Sequence, residues 1–108
     1  MWFADWKTHK KTNISKTILW EYDLSSPSWD WNKMKNIVVR RVLESGLEDD
    51  YYAMLQMYGG FEGVKEIVKK IPYLGPRERS WACVLFDLKK EELWSFTRIQ
   101  LRKKLLNS

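Results

Sequence analysis

DWNKMKNIVVRRVLESG, residues 30 to 46, places apolar side chains at the spacing of a helix and then stops on a glycine. At about 100° per residue, Trp31, Met34, Val38 and Val42 fall on one stripe, and Ile37 widens it. The alternation of a half-buried strand is absent here. The pattern predicts a helix from Asp30 to Ser45, with Ser28 or Asp30 as its cap and Gly46 as its stop. The two arginines of the stretch differ in place. Arg40 falls on the polar side, whereas Arg41 lies inside the apolar arc, between Met34 and Ile37. An arginine so placed either runs its stem out to water or meets a carboxylate. An internal ion pair of Arg41 with Asp23 is expected, with Glu21, Asp49, Asp50 and Asp87 as further candidates.

Working outward, Ser25-Ser26-Pro27-Ser28 reads as a loop. The run Ile18-Leu19-Trp20-Glu21-Tyr22-Asp23 before it is too short for periodicity to choose between one helical turn and an extended docking segment. Residues 1–16 are polar and basic apart from Trp2, Phe3 and Trp6, and read as an extended or poorly ordered arm pinned by those aromatics. Downstream, a second helix is predicted from Leu47 to Tyr58, with Leu47, Tyr51, Met54 and Tyr58 on one side and Leu55 beside them. Its first turn carries Glu48, Asp49 and Asp50, where the helix dipole favours negative charge.

Gly59-Gly60 separates this helix from a third, Phe61 to Ile71, whose Phe61, Val64, Val68 and Ile71 repeat at helical spacing until Pro72 blocks continuation. Pro76 suits the first turn of a fourth helix reaching Phe86, with Trp81, Val84, Leu85 and Leu88 inward. A last helix runs from about Lys89 to Leu105. The connections are short, so neighbouring helices should pack as hairpins. The expected fold is all-α, a single compact domain of four to five short helices. Within it, 1–16 is a basic aromatic arm, 17–93 the helical core and 94–108 a basic C-terminal helix extension.

A chain of 108 residues is one domain by length and can bury one modest core. Seven tryptophans exceed ordinary usage, and either pack the core or form a stacking surface or interface. Trp20, Trp31 and Trp81 are expected to share one core with Val38, Val42 and Val84. The net charge of +5 divides into +3 over residues 1–16, −2 over 17–76 and +4 over 77–108. Positive ends attract nucleic acid or an acidic protein, or are simply solvated.

The single cysteine, Cys83, excludes an internal disulfide and a cysteine-based zinc site, and the single histidine, His9, excludes a His cluster. Cys83 reads as an inert core thiol. No segment reaches membrane-spanning length, and a cytoplasmic location without membrane attachment is expected. Gly59-Gly60-Phe61-Glu62-Gly63 lacks the strand before it and the Lys-Ser or Lys-Thr ending of a phosphate-binding loop. Glu48-Asp49-Asp50 points around a helix and so does not converge on a cation. Tyr51 to Ile71 has the outline of a helix-turn-helix. Its second helix exposes lysines and glutamates, which hold phosphate but read no base sequence. No catalytic residue, metal site or cofactor is expected, because no nucleophile has a base beside it.

The last helix has two apolar sides. Leu93, Trp94, Leu101 and Leu105 lie on one, and Phe96, Ile99 and Leu106 on the other. One side is expected to pack on the core and the other to meet a second chain. Phe96, Ile99, Arg98, Arg102 and Lys103 are the contact candidates, with Lys104 also on the rim. The alternative cover for the second side is the amino-terminal arm, through Trp2, Phe3 and Trp6.

Several of these residues also form a recurrent set: Leu19-Trp20-Glu21-Tyr22-Asp23, Trp31, Lys33, Ile37, Val38, Arg41-Val42-Leu43-Glu44, Gly46, Tyr58-Gly59 and Ser80-Trp81 to Phe86. The set resembles a small uncharacterised bacterial family, frequent in Bacteroidetes. Its members open on Leu or Phe, Trp, an acid, Tyr and Asp, end a helix on Arg-Val-Leu-Glu-x-Gly and close on a tryptophan-rich helix. The resemblance covers roughly residues 18–93. Genes of that family often lie beside AbiEii-type nucleotidyltransferase toxins, so the resemblance implies an antitoxin-like protein-binding role. It supplies no active site. The chain departs from it in the basic extension after Leu93 and in the aromatic arm. The expectation is a non-enzymatic protein-binding module that meets another protein or a second copy of itself. The alternative is a nucleic-acid-binding protein that uses its basic ends.

Overall fold

Val38, Val39, Val42 and Leu43 are all buried, which turns the central stretch into the inner face of a helix, α1, Lys35–Ser45. The computed structural model describes residues 2–106, leaving out the side chain of Ser95. Met1, Asn107 and Ser108, which belong to the two terminal segments of the sequence reading, lie outside the described residues. Helix α1 starts at Lys35 and not at Asp30. The Asp30 carboxylate takes the N–H of Asn32 at 2.9 Å and of Lys33 at 3.3 Å. The Asp30 carbonyl also takes the Met34 N–H at 2.9 Å, so Asp30 caps a separate turn over residues 31–34 that precedes α1.

Four more helices follow: α2, Glu48–Met57; α3, Gly60–Lys70; α4, Pro76–Phe86; and α5, Trp94–Leu106. Short 3-10 turns occupy Lys16–Leu19 and Lys90–Glu92. Among the described residues no strand occurs, and the architecture is a compact all-α domain of five helices. Helix α1 packs on α2, α3, α4 and the first 3-10 turn, while α5 packs on α3 and the second 3-10 turn. One apolar cluster joins Leu19, Val38, Val42, Met54, Leu55, Val64, Val68, Ile71, Leu74, Leu85 and Leu93.

The glycine pair is where α2 turns into α3 without a loop. Gly59 and Gly60 have φ of 85° and 75°, in the left-handed region that side chains rarely adopt. Gly60 also has no room for a side chain, since an added Cβ would stand 2.2 Å from the Trp6 ring.

Three packing expectations are corrected. Trp20 is 75% exposed, because the 3-10 turn directs Ile18 and Leu19 inward and leaves the next residue outside. Val84 is exposed, because the buried arc of α4 runs through Ala82, Leu85 and Phe86. Leu47 is exposed, standing just before α2 and not within its inner face. Trp31 and Trp81 do pack against the core, each half-buried, and the Trp81 indole N–H donates to the Tyr51 hydroxyl at 2.8 Å.

The arm lies along α2. Phe3 stacks on Tyr51 at 4.9 Å between ring centroids, and His9 on Tyr52 at 3.6 Å. Trp2 meets Trp81 edge-on at 5.2 Å. The Gln56 amide N–H group donates to the carbonyls of Trp6, His9 and Lys10 at 3.5, 3.3 and 3.1 Å, while its oxygen accepts the Thr12 N–H at 3.1 Å. Asp50 fixes the end of the arm. Its carboxylate, fully buried, takes the Ser15 N–H at 2.7 Å and the Leu47 N–H at 2.9 Å. The second bond caps α2 at its own first turn.

Candidate functional site

The residues singled out in the sequence fall at two places: the ion pair of Arg41 and the projecting end of α5. Arg41 is positioned by α1 so that its guanidinium crosses to the first 3-10 turn. There it pairs with Glu21 and lies 3.4 Å from the Ile18 carbonyl. The Glu21 hydrogen bond holds the guanidinium above its ordinary pKa. The partner is therefore Glu21 and not Asp23. The Asp23 carboxylate is engaged two residues away, accepting the Ser25 N–H at 3.1 Å and the Ser25 hydroxyl at 2.7 Å. Such a local turn needs little chain ordering and keeps Asp23 from reaching α1. The Arg41–Glu21 pair joins the 3-10 turn to α1, the geometry of a clasp.

Helix α5 begins against the core and then leaves it. Leu93, directly before it, is fully buried, and Phe96 is half-buried against the core cluster. Ile99 lines a groove with Pro72, Tyr73, Leu74, Arg98 and Arg102. From Gln100 to Leu106 every residue is exposed. Phe96, expected to meet a second chain, packs against this chain's own core, while Ile99 of the same side lines the groove and Leu106 is exposed. The outward side carries Trp94, 45% exposed, and Leu101, 50% exposed. The arm does not cover that side, since Trp2, Phe3 and Trp6 are engaged on α2, α4 and Gly60.

The charge of α5 is one-sided. Arg98, Arg102, Lys103 and Lys104 are its ionisable residues, and it contains no acid. Its last turn is basic, which suits the negative end of the helix dipole. The projecting end is thus a short basic helix bearing apolar side chains, a form suited to an acidic surface with an apolar slot.

Other features carry less chemistry. Among the described residues no group of three His, Cys, Asp or Glu side chains is placed to hold a metal ion, and no helix is long and apolar enough to cross a membrane. Cys83 is half-buried, and burial pushes its thiol pKa up, away from the reactive thiolate. Tyr58, whose hydroxyl donates to the Trp31 carbonyl at 2.8 Å, has its pKa pushed up to about 12 by burial.

Sequence reasoning missed Gln56, and it named Asp50 as a first-turn acid and possible Arg41 partner but not as the tie to the arm. Gln56 sits in an otherwise apolar helix, and only its long-range partners reveal its role. Asp50 did leave a signal, an acid three residues after the residue before the helix, which is the spacing of a capping box.

No curated protein and no solved structure matches the chain. Residues 14–68 match the model of a family of unknown function, DUF6922. The match runs from the end of the arm through most of α3 and takes in Glu21, Arg41 and Asp50, while α4 and α5 lie beyond it. With half of its length matched, the chain belongs to the DUF6922 family of unknown function.

Proposed function

We propose that the chain is a non-enzymatic protein-binding module that docks the projecting end of α5 on an acidic partner, in an antitoxin-like role toward a nucleotidyltransferase. One observation carries this reading: from Gln100 to Leu106 the helix is exposed on all sides and bears apolar side chains with cations and no acid. A helix that stands off its own core does not need Leu101 for folding. In an acidic groove the same leucine would be desolvated while Arg102, Lys103 and Lys104 met carboxylates on the rim. The resemblance of residues 18–93 to proteins encoded beside AbiEii-type toxins supplies the class of partner.

Co-expression with a tagged AbiEii-type nucleotidyltransferase tests the reading. The two should co-elute, and Leu101→Glu should abolish co-elution while leaving the melting temperature unchanged. Lys103→Gln with Lys104→Gln should slow association and reduce its salt dependence. Co-elution untouched by Leu101→Glu, or no co-elution at all, would defeat the proposal.

A further inference from the structure

Three grooves of the described surface adjoin one another, and together they form a cationic track with an aromatic ring at its middle. The first, about 420 Å³, lies between α1 and α3 and is lined by Asn32, Lys35, Asn36 and Lys70 among others. The second, about 310 Å³, shares Asn36 with the first and adds Lys33, Arg40 and Tyr73. The third, about 210 Å³, shares Pro72 and Tyr73 with the second and adds Arg98, Ile99 and Arg102. Six cations therefore line the track, against the single carboxylate of Glu66 in the first groove. Arg40 is partly neutralised by Glu44 at 3.1 Å.

Tyr73 is the residue that gives the track a meaning. It is 60% exposed, on the short link between α3 and α4, and the Arg40 guanidinium stands 5.7 Å from its ring centroid. An exposed aromatic ring beside an arginine, flanked by amides and lysines, is the arrangement that stacks a base and tracks a phosphate backbone.

We infer that this track binds single-stranded nucleic acid, with Tyr73 stacking one base and the flanking cations of α1, α3 and α5 holding the backbone on either side. The strand is single because the surface is a set of recesses around a protruding ring. A duplex hides its base faces, and reading it requires an element that enters a groove. Binding is sequence-tolerant, since stacking and phosphate contact read no base edge. The track meets the projecting end of α5 at Arg102, while Lys35, Arg40, Lys70 and Tyr73 lie on other elements and Lys103 and Lys104 lie off it.

Fluorescence anisotropy with a labelled twelve-nucleotide oligouridine, repeated over a salt series, tests the inference. With five phosphates neutralised, log K should fall with log salt at a slope of about −3 to −4. Tyr73→Ala should weaken binding about fivefold or more. Lys35→Gln with Lys70→Gln should weaken it about tenfold at low salt, while Lys103→Gln with Lys104→Gln, the same change of charge off the track, should cost less than about twofold. All three variants change exposed or half-exposed residues, and an unchanged melting temperature certifies their folding. Four results would each overturn the inference: no binding at low salt, equal loss in the two lysine pairs, indifference to Tyr73→Ala, or equal affinity for a duplex of the same length. Displacement of the oligonucleotide by an equal charge of polyaspartate would assign the track to an acidic protein instead.

Discussion

Replacing Asp50 removes the one buried carboxylate side chain among the described residues and unties two segments at once. The side chain is fully buried, and its two oxygens serve different donors, Ser15 N–H on the arm and Leu47 N–H before α2. Hydrogen bonds to a charged group contribute about 1.5–3 kcal/mol each, and loss of a helix cap costs about 0.5–2 kcal/mol. The Leu47 N–H lies at an exposed residue, so water replaces part of what it loses. The Ser15 N–H is more enclosed. Asp50→Ala should therefore cost about 2–4 kcal/mol, after allowing for the desolvation that the wild-type carboxylate bears. Asp50→Asn is the sharper probe. It preserves shape and one acceptor oxygen but points an NH₂ at a backbone N–H, and should cost about 2–3 kcal/mol. Urea denaturation followed by circular dichroism measures both. If both variants unfold within about 0.5 kcal/mol of wild type, the range of an ordinary surface change, the carboxylate is not the tie described here.

Gly60→Ala should lower stability by at least about 1–2 kcal/mol and release Trp6, because the new Cβ meets both a left-handed backbone and the indole ring. Retained arm protection in hydrogen exchange would contradict it. Arg41→Ala should cost about 1–2 kcal/mol, less than a fully buried pair, since Glu21 is 41% exposed and can rehydrate; a chemical denaturation midpoint equal to wild type would refute the clasp. The arm should also respond to pH at both extremes. The Tyr52 hydroxyl donates to Asp5 at 2.6 Å, which lowers the Asp5 pKa from 3.8 and, with burial, pushes Tyr52 up to about 12. The depressed carboxylate stabilises docking above its unfolded pKa and loses that contribution as pH falls through its lower folded value. The raised phenol contributes fully below about pH 10 and loses its contribution as pH rises toward 12. The stability gap between wild type and Asp5→Asn should thus be widest near neutrality and close below pH 3.8; a gap of constant size from pH 7 to pH 3 would sink the pairing.

Punctuation by glycine and proline was the most legible part of the sequence. Pro76 and Phe86 bound α4 as expected, and α3 differs from its expected span by one residue at each end. These signals are local, acting through backbone φ and a missing N–H. Asp30 caps a turn as its residue type suggests, but periodicity does not show that this turn over residues 31–34 stands apart from α1, which starts at Lys35. Trp20 and Val84 were misplaced for another reason: an apolar run says nothing of which member faces in until neighbouring elements are known. For α5 the division runs along the helix and not between its two apolar sides: Leu93 and Phe96 at its start meet the core while Leu101, Leu105 and Leu106 are exposed, which depends on where α3 ends. Glu21 and Asp23 were equivalent as partners of Arg41 in sequence terms. Ser25 removed one of them.

The attachment of the arm to α2 sets an order of events in folding. The bonds from Gln56 to the carbonyls of Trp6, His9 and Lys10 bridge 50, 47 and 46 positions, and that from Asp50 to Ser15 bridges 35. Each helix, by contrast, closes through partners four residues apart. Contacts between distant positions must overcome loop-closure entropy first and form later than local ones. On the ribosome the arm is made before α2, and its dock is complete only after the glycine pair that receives Trp6 has been synthesised. Until the arm docks, Tyr51 and Tyr52 are uncovered, and the folding chain presents an aromatic face that the finished protein has closed.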